Sequence, residues 1–332
     1  MKEKKDNKAK KKKKDRLSVR QIKVLEYLGM FLYLTPSQFF RLGLDRNRGN
    51  FQTNVTNYLK EKGYIDLITP TEQGEYENIY YITEEGAKEL VRLSPEIQYE
   101  SLKIPSKKNY SWGSTYYWHS KYEIDCYIEC YLSSMEQGIR ILDYDLEIER
   151  NAEGGRSKLT SIAIGNARLD PDAIFMIETV KGNKLYAFEL ERRDNRTHYQ
   201  LDEKVWKHVE ALNSKAISPY YNHLKGHRIL FVCEQENTRD YIIDFLKDHV
   251  ENSLNWFLFK TLDEVVPIKK EEVPAIIENG IVIKKKTKGP VLFSDDPKFW
   301  KGDPDAITKA QAEKRNFFEN WTAINGEKVP MF

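Results

Sequence analysis

Cysteine is scarce in this chain. Its three residues in 332, Cys126, Cys130 and Cys233, provide no disulfide framework and point to a reducing, cytoplasmic setting. Cys126 and Cys130 lie one helical turn apart with no second ligand pair, which argues against structural zinc. No uninterrupted apolar run approaches the roughly 20 residues that span a bilayer, so no membrane partner is expected. The opening MKEKKDNKAKKKKKDR has no apolar stretch of the secretory kind. Walker loops, dinucleotide fingerprints and Ser-centred elbows are also missing, which argues against ATPases and hydrolases of those classes. His223 and His227 have metal-like spacing, but Gly226 lies between them and neither has the neighbouring Glu of a metalloprotease helix.

What the chain does have is charge, unevenly distributed. Lys and Arg number 53 against 51 Asp and Glu, for a net charge of +2. The lysines crowd residues 1–16, a disordered basic tail by composition, which serves either solubility or a phosphate-binding role. Residues 17–94 then read as three short helices, a two-stranded ribbon and a closing helix, the order of a winged helix-turn-helix. Thr35 before Pro36 marks the start of the second helix, and Gly63 marks the end of the third. On the third helix Phe51, Val55, Tyr58 and Leu59 form one face. Asn50, Thr53, Thr56, Asn57 and Lys60 form the other, flanked by Arg46 and Arg48. Amides, hydroxyls and cations of this kind suit the base edges and phosphates of double-stranded DNA, although a protein-binding winged helix has the same fold.

A polar linker over 95–112 leads to a second domain over 113–266. Its elements read as helix, three strands, helix, strand, then a further helix and an edge strand. This α-β-β-β-α-β order predicts an α/β (α+β) sandwich around a mixed sheet. Residues 267–332 read as a C-terminal extension with a last helix near DAITKAQAEKRNFFENW.

The chemistry gathers in RLDPDAIFMIETVKGNKLYAFELERRDN. Alternation puts Leu185, Ala187, Glu189 and Glu191 on one face of a strand and Tyr186, Phe188 and Leu190 on the other. With VKGN as the turn, Asp172 falls opposite Glu191, with Glu189 on the diagonal. Three carboxylates in one corner repel one another, so they call for a hard divalent cation or for neutralisation by Arg192 and Arg193 at a solvated strand end. Spacing alone leaves both open. On the next predicted helix Leu201, Val205, Val209 and Leu212 form the buried stripe. Lys204 and His208 sit at its margin, where Lys204 either reaches over the sheet or snorkels to solvent. His119 and Glu123 share a helix face, as a ligand pair or as boundary residues.

The PDA of 171–173 followed by FELE at 188–191 resembles the PD-(D/E)xK core of restriction-endonuclease-like nucleases. That resemblance implies Asp172, Glu189 and the carbonyl of Leu190 as ligands of Mg²⁺ (or Mn²⁺). Glu191 stands where that family has lysine. A winged helix joined to such a core, with an acid at that position, resembles the plasmid replication-relaxation family and its MOBC-type relaxases. By that likeness His119, Asp172, Glu189, Glu191 and Lys204 would form a catalytic set. The His-hydrophobic-His pair of the commoner tyrosine relaxases is missing. The implied activity is metal-dependent nicking or relaxing of DNA at a plasmid or mobile-element origin, alongside other mobilisation or replication proteins. The alternative is a non-catalytic initiator or regulator on a degenerate nuclease scaffold.

Overall fold

The computed structural model describes residues 16–44, 48–70, 76–105, 114–149, 160–192, 198–223, 225–250, 256–266 and 316–332, with four short strands between 268 and 292. The basic tail before Arg16, Arg46, the Arg48 side chain, Arg193, the 106–113 part of the linker and the 305–315 part of the expected last helix lie outside the described residues. The chain divides into two compact units, residues 1–107 and 108–332.

In the first unit, α1 (Val19–Phe31) starts at Ser18 and α2 (Pro36–Arg41) at Thr35. Each start is a capping box closed by the glutamine three residues on, and Pro36 adds a preset φ at the second. A third helix, α3, covers 48–61. It is α-helical at Arg48–Phe51 and Asn57–Glu61 and π-helical at Gln52–Thr56 between them. Gly63 ends it with φ +75°. Strands β1 (Ile65–Ile68) and β2 (Ile79–Ile82) pair antiparallel, and α4 (Glu84–Leu93) closes the unit. Gly86 in its first turn passes so close to Tyr64 that a Cβ would lie 1.9 Å from the Tyr64 carbonyl oxygen. The core is built from Val24, Leu25, Leu28 and Phe31 of α1 with Phe39, Leu59, Ile82 and Leu90.

The second unit is mixed α/β. Helix α5 (Ser114–Gln137) leads into β3 (Arg140–Leu146), a small hairpin β4 (Ile162–Ile164) and β5 (Ala167–Leu169), then β6 (Ala173–Thr179) and β7 (Gly182–Glu191). Next come α6 (His198–Ser214), β8 (Arg228–Cys233), α7 (Glu236–His249), β9 (Phe257–Thr261) and α8 (Leu262–Val265). Short strands β10 (Ile268–Lys269), β11 (Ile276–Glu278), β12 (Ile281–Ile283) and β13 (Val291–Leu292) pair among themselves. Strands β14 (Trp321–Ala323) and β15 (Lys328–Val329) complete a seven-stranded sheet of order β15-β14-β9-β8-β7-β6-β3. Its β7, β8 and β9 run parallel and its other neighbours antiparallel. Among the described residues no helix is long and apolar enough to cross a membrane.

The two faces of the sheet differ in character. Ile174, Met176, Leu185, Ala187, Ile229 and Phe231 pack under Leu201, Val205 and Val209 of α6 and Ile242, Ile243 and Leu246 of α7. On the opposite face Tyr127 of α5 stacks on Tyr144 with 3.7 Å between ring centroids, Tyr144 on Phe175, and Phe175 on Tyr186. The stack ties α5 to β3, β6 and β7.

Two expectations about this sheet change. The FLFKT strand is interior rather than an edge, because β14 pairs along its far side. The core also does not stop near residue 266, because residues 316–332 return to widen it. Lys260 fastens that return. Its buried ammonium group donates to the carbonyls of Asn316 (2.9 Å) and Phe317 (3.3 Å) and lies 5.0 Å from the Trp321 ring centroid. Burial pushes Lys260 down to about 8. Between that value and the ordinary lysine range the unfolded chain holds a proton that the folded chain has released. Stability therefore rises with pH across that window. Urea melts at pH 7.5 and pH 10 should show this rise in the wild type and its loss in Lys260→Met. Equal pH responses in the two proteins would contradict it.

Candidate functional site

The connection between β6 and β7 is only Val180–Lys181, because Thr179 pairs with Gly182, whose φ of +92° closes the turn. This is two residues tighter than a VKGN turn, so the register moves by two. Ala173 pairs with Phe188, and Asp172, just ahead of β6, comes level with Glu189 and diagonal to Glu191, not opposite it. The alternation itself is as expected. Glu189 and Glu191 continue the Leu185 and Ala187 face beneath α6, while Leu190 is buried on the aromatic side.

Backbone and side chains then fix Asp172 from several directions. The Leu190 amide donates to its Oδ2 at 2.6 Å, and His119 Nε2 from α5 lies 3.2 Å from its Oδ1. A strand residue turns its N–H and C=O to one edge, so the Leu190 carbonyl lies on the Asp172 side of β7. The Asp172 carbonyl accepts from the Glu147 amide at 2.7 Å.

Helix α6 supplies the cation. With Leu201, Val205 and Val209 turned to the sheet, Lys204 and His208 come down over the end of β7, one turn apart. The Lys204 ammonium group bonds Glu191 Oε1 at 2.6 Å, contacts Glu189 Oε2 and lies 4.0 Å from Asp172 Oδ2. His208 Nε2 meets Glu189 Oε1 at 2.5 Å, and among the described residues its buried Nδ1 has no hydrogen-bond partner. The acids are buried, at 3 % exposure for Asp172, 0 % for Glu189 and 3 % for Glu191, so this is no solvated strand end. Arg192 pairs with Glu234 at 3.4 Å, and the neutralising role expected of it belongs to Lys204.

The environments push the two central acids apart. Burial alone would raise Asp172, but Lys204, His119 and the Leu190 amide outweigh it and hold the carboxyl below its usual range. Glu189 goes well above its usual range, by burial first and then by the charges of Asp172 and Glu191 against the pull of Lys204. Burial and the Lys204 charge drive His208 down to about 3, which favours its uncharged ring beside Glu189. His119 moves up, because Asp172 more than offsets its burial. A pair of carboxyls so divided is a frequent feature of acid–base sites.

Two residues single out differently from expectation. His208 had no role by spacing, although Glu189-x-Glu191 on a strand facing Lys204 and His208 at i, i+4 on a helix was a readable signal. Glu123 is fully buried, so it is not the boundary residue that one reading of its helix face allowed. Among the described residues no set of three or more His, Cys, Asp or Glu side chains stands as a ready metal cage, since the carboxylates here close on an ammonium group. Three carboxylates drawn to one positive charge are nevertheless donors of the chemical type that a hard divalent ion takes.

On α3, Asn50, Thr53, Asn57 and Lys60 are exposed as expected, and Thr56 is not. Thr56 is 1 % exposed and donates from Oγ1 to the Gln52 carbonyl at 3.1 Å. The π turn is the reason, since its extra residue turns Thr56 inward and exposes Gln52 and Asn54 instead. Gln21 Nε2 holds that turn from α1 by donating to the Asn54 carbonyl at 3.1 Å. Comparison of the chain with protein families, curated proteins and solved structures gave no match.

Proposed function

We propose that this protein nicks or relaxes DNA at a plasmid or mobile-element origin by metal-dependent phosphodiester cleavage, in the manner of the replication-relaxation and MOBC-type proteins it resembles. The observation that carries this reading is the convergence of Asp172, Glu189 and Glu191 on Lys204, with His119 at Asp172. The run of α5, β3, β6, β7, α6 and β8 supports a restriction-endonuclease-like core, and the order of elements over 19–93 supports a winged helix.

Asp172, Glu189, Glu191 and the Leu190 carbonyl would hold Mg²⁺ or Mn²⁺. When bound, the ion would neutralise the scissile phosphate and lower the pKa of an attacking water. Asp172 enters this role ionised and aimed by the Leu190 amide. His119 fixes its other oxygen, and His208 fixes Glu189 from behind. Lys204, whose side chain is partly exposed, would supply positive charge for the negative charge that develops on the phosphate.

A second reading has a specific observation behind it. Lys204 satisfies the acids without any metal, as in a scaffold that has lost catalysis and serves as a replication initiator or regulator. Incubating supercoiled plasmid carrying the cognate origin with Mg²⁺ or Mn²⁺, and with EDTA, separates the two. Open-circular product that disappears with Glu189→Gln selects the nickase. Binding without nicking selects the initiator.

DNA reading would fall to the exposed face of α3. Asn and Gln side chains suit adenine edges, so Gln52, Asn54 and Asn57 form the reading set, with Lys60 on phosphate. Asn57→Ala should then reduce the preference for origin over random duplex by about 1–3 kcal/mol, while Thr56→Ala leaves it unchanged. Competition binding at fixed salt measures both. A larger effect at Thr56 than at Asn57 would exclude this face as the reader.

A further inference from the structure

The acidic corner already contains a cation. Lys204 bonds Glu191 at 2.6 Å, touches Glu189 and stands 4.0 Å from Asp172. A divalent ion taking the same oxygens at roughly 2.1 Å would share that small volume with a second positive charge, and the two would repel. The two compete for the same carboxylate oxygens.

Two of the acids are held by groups other than Lys204. Asp172 is pinned by the Leu190 amide and His119, and Glu189 by His208. The Lys204 side chain is 11 % exposed where the acids are 4 % or less, and its four-carbon stem can swing outward without unpacking the Leu201, Val205 and Val209 stripe.

We propose that Lys204 is a resident counter-ion of this site, and that a hard divalent cation enters by displacing its ammonium group from the three carboxylates. The inference rests on the reading of the corner as a metal site. Its consequence is an order of events: the lysine becomes free to meet a phosphate only after the metal has taken its place. Metal loading and phosphate binding are thereby coupled through one side chain.

The test uses the full chain and Mn²⁺, with bound metal followed by electron paramagnetic resonance. Lys204→Met keeps the length of the side chain and removes its charge, and should bind Mn²⁺ roughly tenfold more tightly than the wild type, or better. A second measurement needs no destabilised variant. In the wild type, Mn²⁺ should raise acetylation of Lys204 by acetic anhydride several-fold, read by peptide mass spectrometry, and Asp172→Asn should abolish that rise. If the wild type binds Mn²⁺ but Lys204→Met binds no tighter, or if Mn²⁺ leaves Lys204 as protected as before, the displacement is overturned and the metal site stands. If neither protein binds Mn²⁺, both fall together.

Discussion

Lys204→Met should lower stability by about 3–5 kcal/mol at pH 7, the usual effect of removing one partner from a buried ion pair. Three carboxyls with almost no solvent contact would lose the ammonium group that Lys204 holds among them. Removing the Lys204 charge lets His208 rise, but its burial, the largest cause of its low value, stays and opposes a charged ring in that place. Among the described residues His119 bonds Asp172 and neither Glu189 nor Glu191. The variant's acids would respond by taking up protons, so the deficit should shrink as pH falls toward the carboxylate range. Mn²⁺ should restore much of the loss, since a ligand bound only by the folded state stabilises it. Urea melts at pH 7 and pH 5, with and without Mn²⁺, measure all three effects. Wild-type stability in the variant at pH 7 would mean that the corner needs no cation.

Asp172→Asn should act on chemistry instead of folding. The amide is nearly isosteric, and its oxygen can still accept from the Leu190 N–H that now reaches Oδ2 at 2.6 Å. The stability change should stay within about 1–2 kcal/mol, the scale of an altered hydrogen bond. The charge that would hold the metal is gone, however. Several kcal/mol of transition-state stabilisation should go with it, a fall of roughly 10²–10³-fold in nicking rate. The check pairs a time course of open-circular product with a thermal melt of the same preparation. Unimpaired nicking by a folded Asp172→Asn would remove Asp172 from the mechanism.

The parts of this molecule that the sequence made legible are those decided by local pattern. The two-residue period of LYAFELE put Glu189 and Glu191 on one face of their strand, and the stripe of Leu201, Val205 and Val209 put Lys204 at its margin, while its reach to the acids came only with the structure. Thr35-Pro36 and Gly63 marked helix ends because capping is a short-range interaction. The errors came where a small backbone choice decides a longer arrangement. Whether Val180–Lys181 or all of VKGN makes the turn alters no local pattern, yet it moves Asp172 by two residues along β7. A π turn leaves no mark on apolar periodicity until Thr56 proves to be inside. Strands β14 and β15 are too short to announce themselves, and they are recruited by Lys260 and β9 from more than fifty residues away, with only the sequence separations of 56 and 57 to mark the contact.

Anomalous diffraction from crystals soaked in Mn²⁺ tests the central claim most directly. The account predicts one strong peak ligated by Asp172 and Glu189, with Glu191 or the Leu190 carbonyl completing the protein donors and the Lys204 ammonium group turned out toward solvent. A corner without a peak at saturating Mn²⁺, with Lys204 still lodged among the three carboxylates, would contradict it.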